Sequence, residues 1–169
     1  MSDIMTKARP GEIFIHLPSD TTLRMTSVVR CATPADTDAI FAMGTAEPAF
    51  GVSSRIRFYE HRELEEWIAA PDDNLLLVLD DGGEISGFLF CKIMSSHWAY
   101  LDNFYVRPEC RGKGYGRLLM QALLSQLKSQ GIAYLSTLVD KRDSFLAGYF
   151  GSCGLVAEKT YVWQERFVE

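Results

Sequence analysis

The residues best suited to chemistry stand in one short stretch: Arg111, Gly112, Lys113, Gly114, Tyr115, Gly116 and Arg117. Glycines at this density let a phosphate approach the backbone. A helix that begins among them also leaves N–H groups unpaired at the positive end of its dipole. Local charge agrees, because Arg107, Arg111, Lys113 and Arg117 against Glu109 give +3 within eleven residues. The stretch therefore reads as an anion site. Two common phosphate loops do not fit it. A P-loop needs Ser or Thr after its Gly-Lys, and Lys113 is followed by Gly114. A dinucleotide fingerprint opened at Gly112 would need glycine where Arg117 stands, and the strands before it read as antiparallel. What remains is Arg-x-x-Gly-x-Gly, carried by Arg111, Gly114 and Gly116.

A strand must deliver the chain to such a loop and a helix must leave it. Residues 98–106 are rich in aromatic and β-branched side chains and predict the strand. Leu118, Leu119, Ala122, Leu123 and Leu127 recur at helical spacing, so residues 114–130 predict the helix, stopped at Gly131. Upstream, the apolar runs 75–79 and 85–94 flank Asp80, Asp81, Gly82 and Gly83, a hairpin signal, which makes the front half an antiparallel meander. Residues 28–32 form a short strand, and Thr33 then caps a helix with Pro34 in its first position, running to about Met43. Residues 59–70 pattern as an amphipathic helix ended by Pro71. Further strands are predicted at 133–139 and, as a pair or one long strand, at 156–167, with a helix at 143–150 between them. The run Ile13, Phe14 and Ile15 predicts an edge strand or a loose extension.

At 169 residues the chain has the size of one domain, here residues 26–169 behind an N-terminal extension of residues 1–25. With 47% hydrophobic and 23% charged residues it is globular rather than disordered, fibrous or membrane-embedded. The net charge of −5 argues against nucleic acid and anionic membranes as partners. Residues 60–73 alone carry six acids against Arg62, which equals that whole imbalance and leaves the basic loop as a local exception. Cys31, Cys91, Cys110 and Cys153 are dispersed, as are His16, His61 and His97, so no metal site is expected. There is no spanning run and no secretory segment, which places the protein in the cytoplasm. Exposed strand edges and the N-terminal apolar run leave room for a homodimer.

On these motifs the sequence resembles the GNAT superfamily of N-acetyltransferases. Besides the glycine loop, residues 30–36 resemble that family's opening strand and helix. The string Leu101, Asp102, Asn103, Phe104, Tyr105, Val106 resembles its fourth strand, and residues 149–155 resemble its closing helix and turn. The resemblance spans roughly residues 27–167. It implies an α/β fold: one mixed, mostly antiparallel sheet, splayed between its fourth and fifth strands and flanked by helices, with acetyl-CoA in the gap as co-substrate and no metal. It also implies cofactor-binding roles. The backbone of Phe104, Tyr105 and Val106 would hold the pantetheine arm. The amides of Arg111, Gly112, Lys113, Gly114, Tyr115, Gly116 and Arg117 would hold the pyrophosphate.

Acetyl transfer to an amine requires the ammonium to lose a proton first, since only the neutral amine has a lone pair. Asp102 stands where spermidine/spermine acetyltransferase-like members have an acid in a similar string, and it is the expected proton acceptor or substrate carboxylate. Many members place a proton-donating tyrosine four residues before the glycine of the closing motif. Here Phe150 holds that position and Tyr149 precedes it, a shift of about 100° around a helix. Tyr149 is the expected donor, and Phe150 and Asp143 complete the cofactor set, Asp143 standing where the family often has asparagine. Acceptor recognition falls to residues 45–58, to the acids Glu47, Glu60, Glu63 and Glu66, and to an aromatic wall of Phe50, Phe58, Tyr59 and Trp98, all of which also suit a solvated face or a core. The expected activity is direct transfer of acetyl to a primary amine of a small molecule or peptide. The alternatives are a CoA-binding regulatory module without catalysis, or a different acyl group or a hydroxyl acceptor.

Overall fold

In a computed structural model, residues 27–51, 53, 55–162, 164, 166 and 167 are described. The predicted extension at residues 13–15 lies outside them. The chain opens on β1 (Ser27–Cys31), turns through a short 3-10 segment at Pro34–Asp36 into α1 (Thr37–Ala46), and continues to α2 (His61–Ala69). Then follow β2 (Asn74–Asp81), β3 (Glu84–Ser95) and β4 (Trp98–Val106). After these come α3 (Tyr115–Ser129), β5 (Tyr134–Thr137) and α4 (Ser144–Ser152). The described residues divide after Thr137 into two compact units, so α4 belongs to the second.

The sheet of the first unit runs in the order β1-β2-β3-β4-β5, with the first three pairings antiparallel and β4–β5 parallel. Local chemistry sets this order. Gly82 and Gly83, at φ 71° and 96°, make the two-residue turn that twists with its strands, and Gly83 N–H donates to Asp80 Oδ1 at 2.7 Å. A parallel return needs a crossover, and α3 supplies it. Helices cover both faces. Ile40, Met43 and Leu64 pack with Leu76, Val78, Phe88 and Phe90 on one side. On the other, α3 buries Leu118, Leu119, Ala122, Leu123 and Leu127. This double cover explains why residues 75–79 of β2 are apolar without alternation and all buried.

The front of the unit is pinned by Arg30. Its guanidinium donates to both Asp36 oxygens at 2.7 and 2.9 Å and reaches Asp80 Oδ2 at 3.0 Å, tying β1 to the start of α1 and to β2. Asp36 Oδ2 also accepts from Thr33 N–H at 2.7 Å and Thr33 Oγ1 at 2.8 Å. Burial disfavours the Asp36 carboxylate, but the hydrogen bonds from Arg30 and Thr33 outweigh it and hold the carboxyl below its usual range.

Two expected elements differ. β5 covers only Tyr134–Thr137 of the predicted 133–139, its pairing with β4 ending at Leu101 opposite Thr137. The described residues of 156–162 form no strand, and Val156, Tyr161 and Val162 are exposed. A strand is held by a neighbour's N–H and C=O groups, and β-rich composition alone does not supply one. Among the described residues no helix is long and apolar enough to cross a membrane.

Candidate active site

The β4–β5 ladder ends at Leu101 opposite Thr137, so the last five residues of β4 have no β5 partner. The sheet therefore opens from Asp102 to Val106. The phase of the β3–β4 ladder decides which backbone groups face that opening. Arg107 N–H donates to Ser86 O at 2.9 Å, and Phe88 stands opposite Tyr105. Antiparallel alternation thus commits the N–H and C=O of Tyr105 to β3 and turns those of Phe104 and Val106 away from it. This corrects the expectation for Tyr105, whose backbone belongs to the ladder. Its ring packs on the aromatic side, 5.9 Å from Phe88 and 6.1 Å from Phe50.

The glycine loop follows directly. Pro108–Cys110 form a 3-10 turn, and Gly112 and Gly114 take φ of 76° and 80°, a left-handed conformation that side-chain-bearing residues resist. The first helical bond of α3 is Leu118 N–H to Gly114 O at 3.1 Å, and no side chain caps the helix. The N–H groups of Tyr115, Gly116 and Arg117 therefore precede the ladder of a fifteen-residue helix and present its positive end. Residues 111–117 thus form one continuous loop and helix start, in which Lys113 and Arg117 are exposed and form no ion pair among the described residues.

Two of the basic side chains are employed elsewhere. Arg107 pairs with Glu84 at 2.5 Å. Arg111 Nε donates to Val106 O at 2.9 Å, with its guanidinium 5.8 Å from the Tyr105 ring and 3.9 Å from Glu47, so its side chain clamps the end of β4 to the loop. Tyr115 is buried. Its hydroxyl donates to Asp81 Oδ2 at 2.8 Å and lies 3.1 Å from Ser27 Oγ, so only its backbone is available to a ligand.

Asp102 occupies the point where the sheet opens, at a bulge in the β3–β4 register. Tyr59 donates its hydroxyl to Asp102 Oδ2, and Lys92 Nζ lies 3.6 Å from the same oxygen. Burial first, and Asp102 second, through its hydrogen bond to Tyr59 and its charge near Tyr100, push both tyrosine hydroxyls up. Burial, then the Asp102 charge, push the Cys91 thiol up to about 12, and the side chain is fully buried. Beside Asp102, Asn103 is 7% exposed, and its Oδ1 has no hydrogen-bond partner among the described residues. Lys92 and Asn103 were not identified by sequence reasoning. Lys92 left one signal, as the single charge in the run 85–94.

The expected aromatic wall is assembled in part. The rings of Phe50 and Phe58 each lie 6.0 Å from that of Phe88, and Tyr59 joins them through Phe58 at 5.2 Å. Trp98 does not, because its Nε1 donates to Ser136 Oγ at 2.8 Å and its ring faces Tyr134 at the other end of β4. Two acids of α2 make contacts within or at the start of the helix: Glu63 accepts from Glu60 N–H at 2.9 Å, and Glu66 pairs with Arg62 at 3.6 Å. In the second unit, Asp143 caps α4 by accepting from Leu146 N–H at 2.8 Å. Phe150 is buried, Tyr149 is partly buried, and their rings are 5.5 Å apart. Burial, then the Cys153 side chain, push the Tyr149 hydroxyl up.

The sequence profile described as "Acetyltransferase (GNAT) family" matches residues 44–154. The chain belongs to the GNAT acetyltransferase family. No curated protein sequence matches it significantly. Among solved structures, the PaiA N-acetyltransferase of Thermoplasma acidophilum in complex with coenzyme A superposes with a TM-score of 0.73 at 22% identity, over 81% of this chain and 94% of that one. A transcriptional regulator from Bacillus halodurans C-125 gives 0.70 at 18% identity, over 83% and 100%. The glucosamine-6-phosphate N-acetyltransferase of Arabidopsis thaliana gives 0.65 at 17%, over 85% and 100%. At these identities the likeness is one of fold, and the mixed sheet opening between β4 and β5 is the GNAT architecture that the sequence motifs implied. A cavity of about 310 Å³ walled by Leu124, Leu127, Ile132 and Tyr134 lies at the far end of α3 from the glycine loop and brings no acid or nucleophile together.

Proposed function

We propose that this GNAT-family protein is an acetyl-CoA-dependent N-acetyltransferase that passes acetyl directly to a primary amine of a small molecule or peptide. The observation that carries the reading is the continuity of the opened strand and the anion cradle. Val106 turns its backbone into the gap, Arg111 clamps its carbonyl, and four residues after Arg111 the helical amides of α3 begin at Tyr115. These groups fit acetyl-CoA. The amides of residues 111–117, with Lys113 and Arg117, would hold the pyrophosphate, and the outward backbone of Phe104 and Val106 would hold the pantetheine arm. When bound, acetyl-CoA supplies the activated acyl group. The chain contributes orientation, together with a strand amide that polarises the thioester carbonyl.

Asp102 stands where the gap begins, and in this reading it receives the acceptor amine and takes its proton, directly or through water. For the proton that the departing thiolate takes, the candidate is Tyr149, which rests on the motif resemblance of residues 149–155 alone. Buried Phe150 favours the second reading, a CoA-binding module with weak or no catalysis, because phenylalanine has no proton to give where many family members place tyrosine. One experiment separates the two: CoA release measured against amino acids, peptide N-termini, amino sugars and polyamines, with Asp102→Asn alongside. Turnover of one acceptor class, lowered in the variant with a changed pH profile, supports the enzyme. Tight acetyl-CoA binding without turnover supports the module, and no acetyl-CoA binding overturns both.

A further inference from the structure

Lys92 interrupts an otherwise apolar strand, and its surroundings explain what it does there. Its ammonium lies 5.7 Å from the ring centroid of Tyr59, 5.2 Å from that of Trp67 and 5.4 Å from that of Phe90. The rings brace one another, Trp67 stacked on Phe90 at 4.3 Å and 11°, Tyr59 edge-on to Trp67 at 4.5 Å. The fourth wall is Asp102, 3.6 Å from Nζ and held by the Tyr59 hydroxyl. Three aromatic rings and a carboxylate gathered within about 6 Å are a setting that suits an alkylammonium, and here a cation of the chain itself fills it. With side-chain exposures of 37% for Lys92 and 20% for Asp102, the box opens to solvent.

We infer that Lys92 is a specificity-determining residue: a tethered cation that fills an ammonium-binding box at the opening of β4 and thereby excludes polycationic amines as ligands of Asp102. The pair Lys92–Asp102 has no net charge, so the carboxylate no longer attracts an approaching polyamine, and the ammonium repels it at short range. An acceptor with one ammonium meets that repulsion once, and one that pairs its ammonium with an anionic group carries no net charge and meets the least. The assignment rests on the acetyltransferase reading for its meaning, but the box is a binding device that can be tested by itself.

The test is calorimetric titration of 1,5-diaminopentane and of spermidine into the full chain and into Lys92→Met, Lys92→Arg and Lys92→Met/Asp102→Asn, each first compared by circular dichroism. Removing the resident cation frees the aromatic cluster and the carboxylate, so Lys92→Met should bind both amines about tenfold more tightly than the native chain or more. Lys92→Arg should exclude them as the native chain does, and the double variant should lose the gain. If Lys92→Met does not fold, Lys92→Gln makes the same comparison. No gain in a folded neutral variant, or an equal gain in Lys92→Arg, overturns the assignment. Acetyl-CoA titrated into the same samples separates the failures. If it binds and the neutral variant gains no amine, the inference falls alone; if it binds none of them, the acetyltransferase reading falls while the amine result stands.

Discussion

Gly87 lies under the strand that carries the opened backbone, and Gly87→Ala tests that placement quantitatively. A methyl group there would sit 2.6 Å from the Tyr105 carbonyl oxygen and 3.3 Å from Val106 Cα. Neither neighbour is the flexible end of a side chain. The Tyr105 carbonyl faces β3 within the ladder, so the overlap is relieved only by pushing β4 and β3 apart. Overpacking of this kind costs about 1–3 kcal/mol. The lower chain entropy of alanine in the unfolded state returns about 0.4–1 kcal/mol, leaving a net loss of about 1–2 kcal/mol. For a chain of this size that is a fall of roughly 2–8 °C in melting temperature. The assay is a thermal melt followed by circular dichroism, paired with acetyl-CoA titration, because displacing Val106 should also weaken binding. Gly148→Ala is the control. It lies inside α4 with nothing within 4 Å of the added methyl group, and alanine there should stabilise the helix by about 0.5–1 kcal/mol. A Gly87→Ala chain that melts at or above the native temperature would refute the ladder phase on which the site rests.

Gly114→Ala should cost about 1–2 kcal/mol in urea unfolding, because its φ of 80° is left-handed, and should weaken acetyl-CoA binding in calorimetry, whereas Gly114→Asn should lose less of both. Asp36 sets an acid limit on stability. Its folded-state pKa lies below the unfolded value of about 3.9, so its contribution is complete above that value and is lost as pH falls through the lower, folded one. Asp36→Asn should therefore be less stable than the native chain at pH 7, and the difference should shrink toward pH 3 when urea midpoints are compared.

The parts of the molecule read correctly from sequence are those whose causes are local. The α3 stripe of Leu118, Leu119, Ala122, Leu123 and Leu127, the Gly82–Gly83 turn, and the loop at Gly112 and Gly114 each carry their period or backbone requirement within a few residues. The parts missed depend on register. Lys92 meets Asp102 because a bulge between Phe90 and Cys91 shifts the β3–β4 pairing, and no pattern within either strand encodes that meeting. The same phase turns Val106 into the gap and withdraws Tyr105, although the two are neighbours in sequence. For Arg111 the resemblance implies a role for the amide, and the use of its guanidinium, which fills the hydrogen-bonding need of the Val106 carbonyl that the ladder leaves without β3, has no signal in the sequence. Composition also overstated the strand at 156–167, since strand propensity needs a partner edge to act on.

The central claim is that acetyl-CoA lies along the opened edge of β4 and on the first turn of α3. Amide hydrogen exchange resolved residue by residue, with and without acetyl-CoA, tests it most directly. The account predicts that the N–H groups of Val106, Tyr115, Gly116 and Arg117 slow when acetyl-CoA is added, while Tyr105, already committed to β3, changes little. Unchanged exchange at Val106 and along residues 115–117 in an acetyl-CoA-saturated sample, or slowing confined to other parts of the sheet, would contradict it.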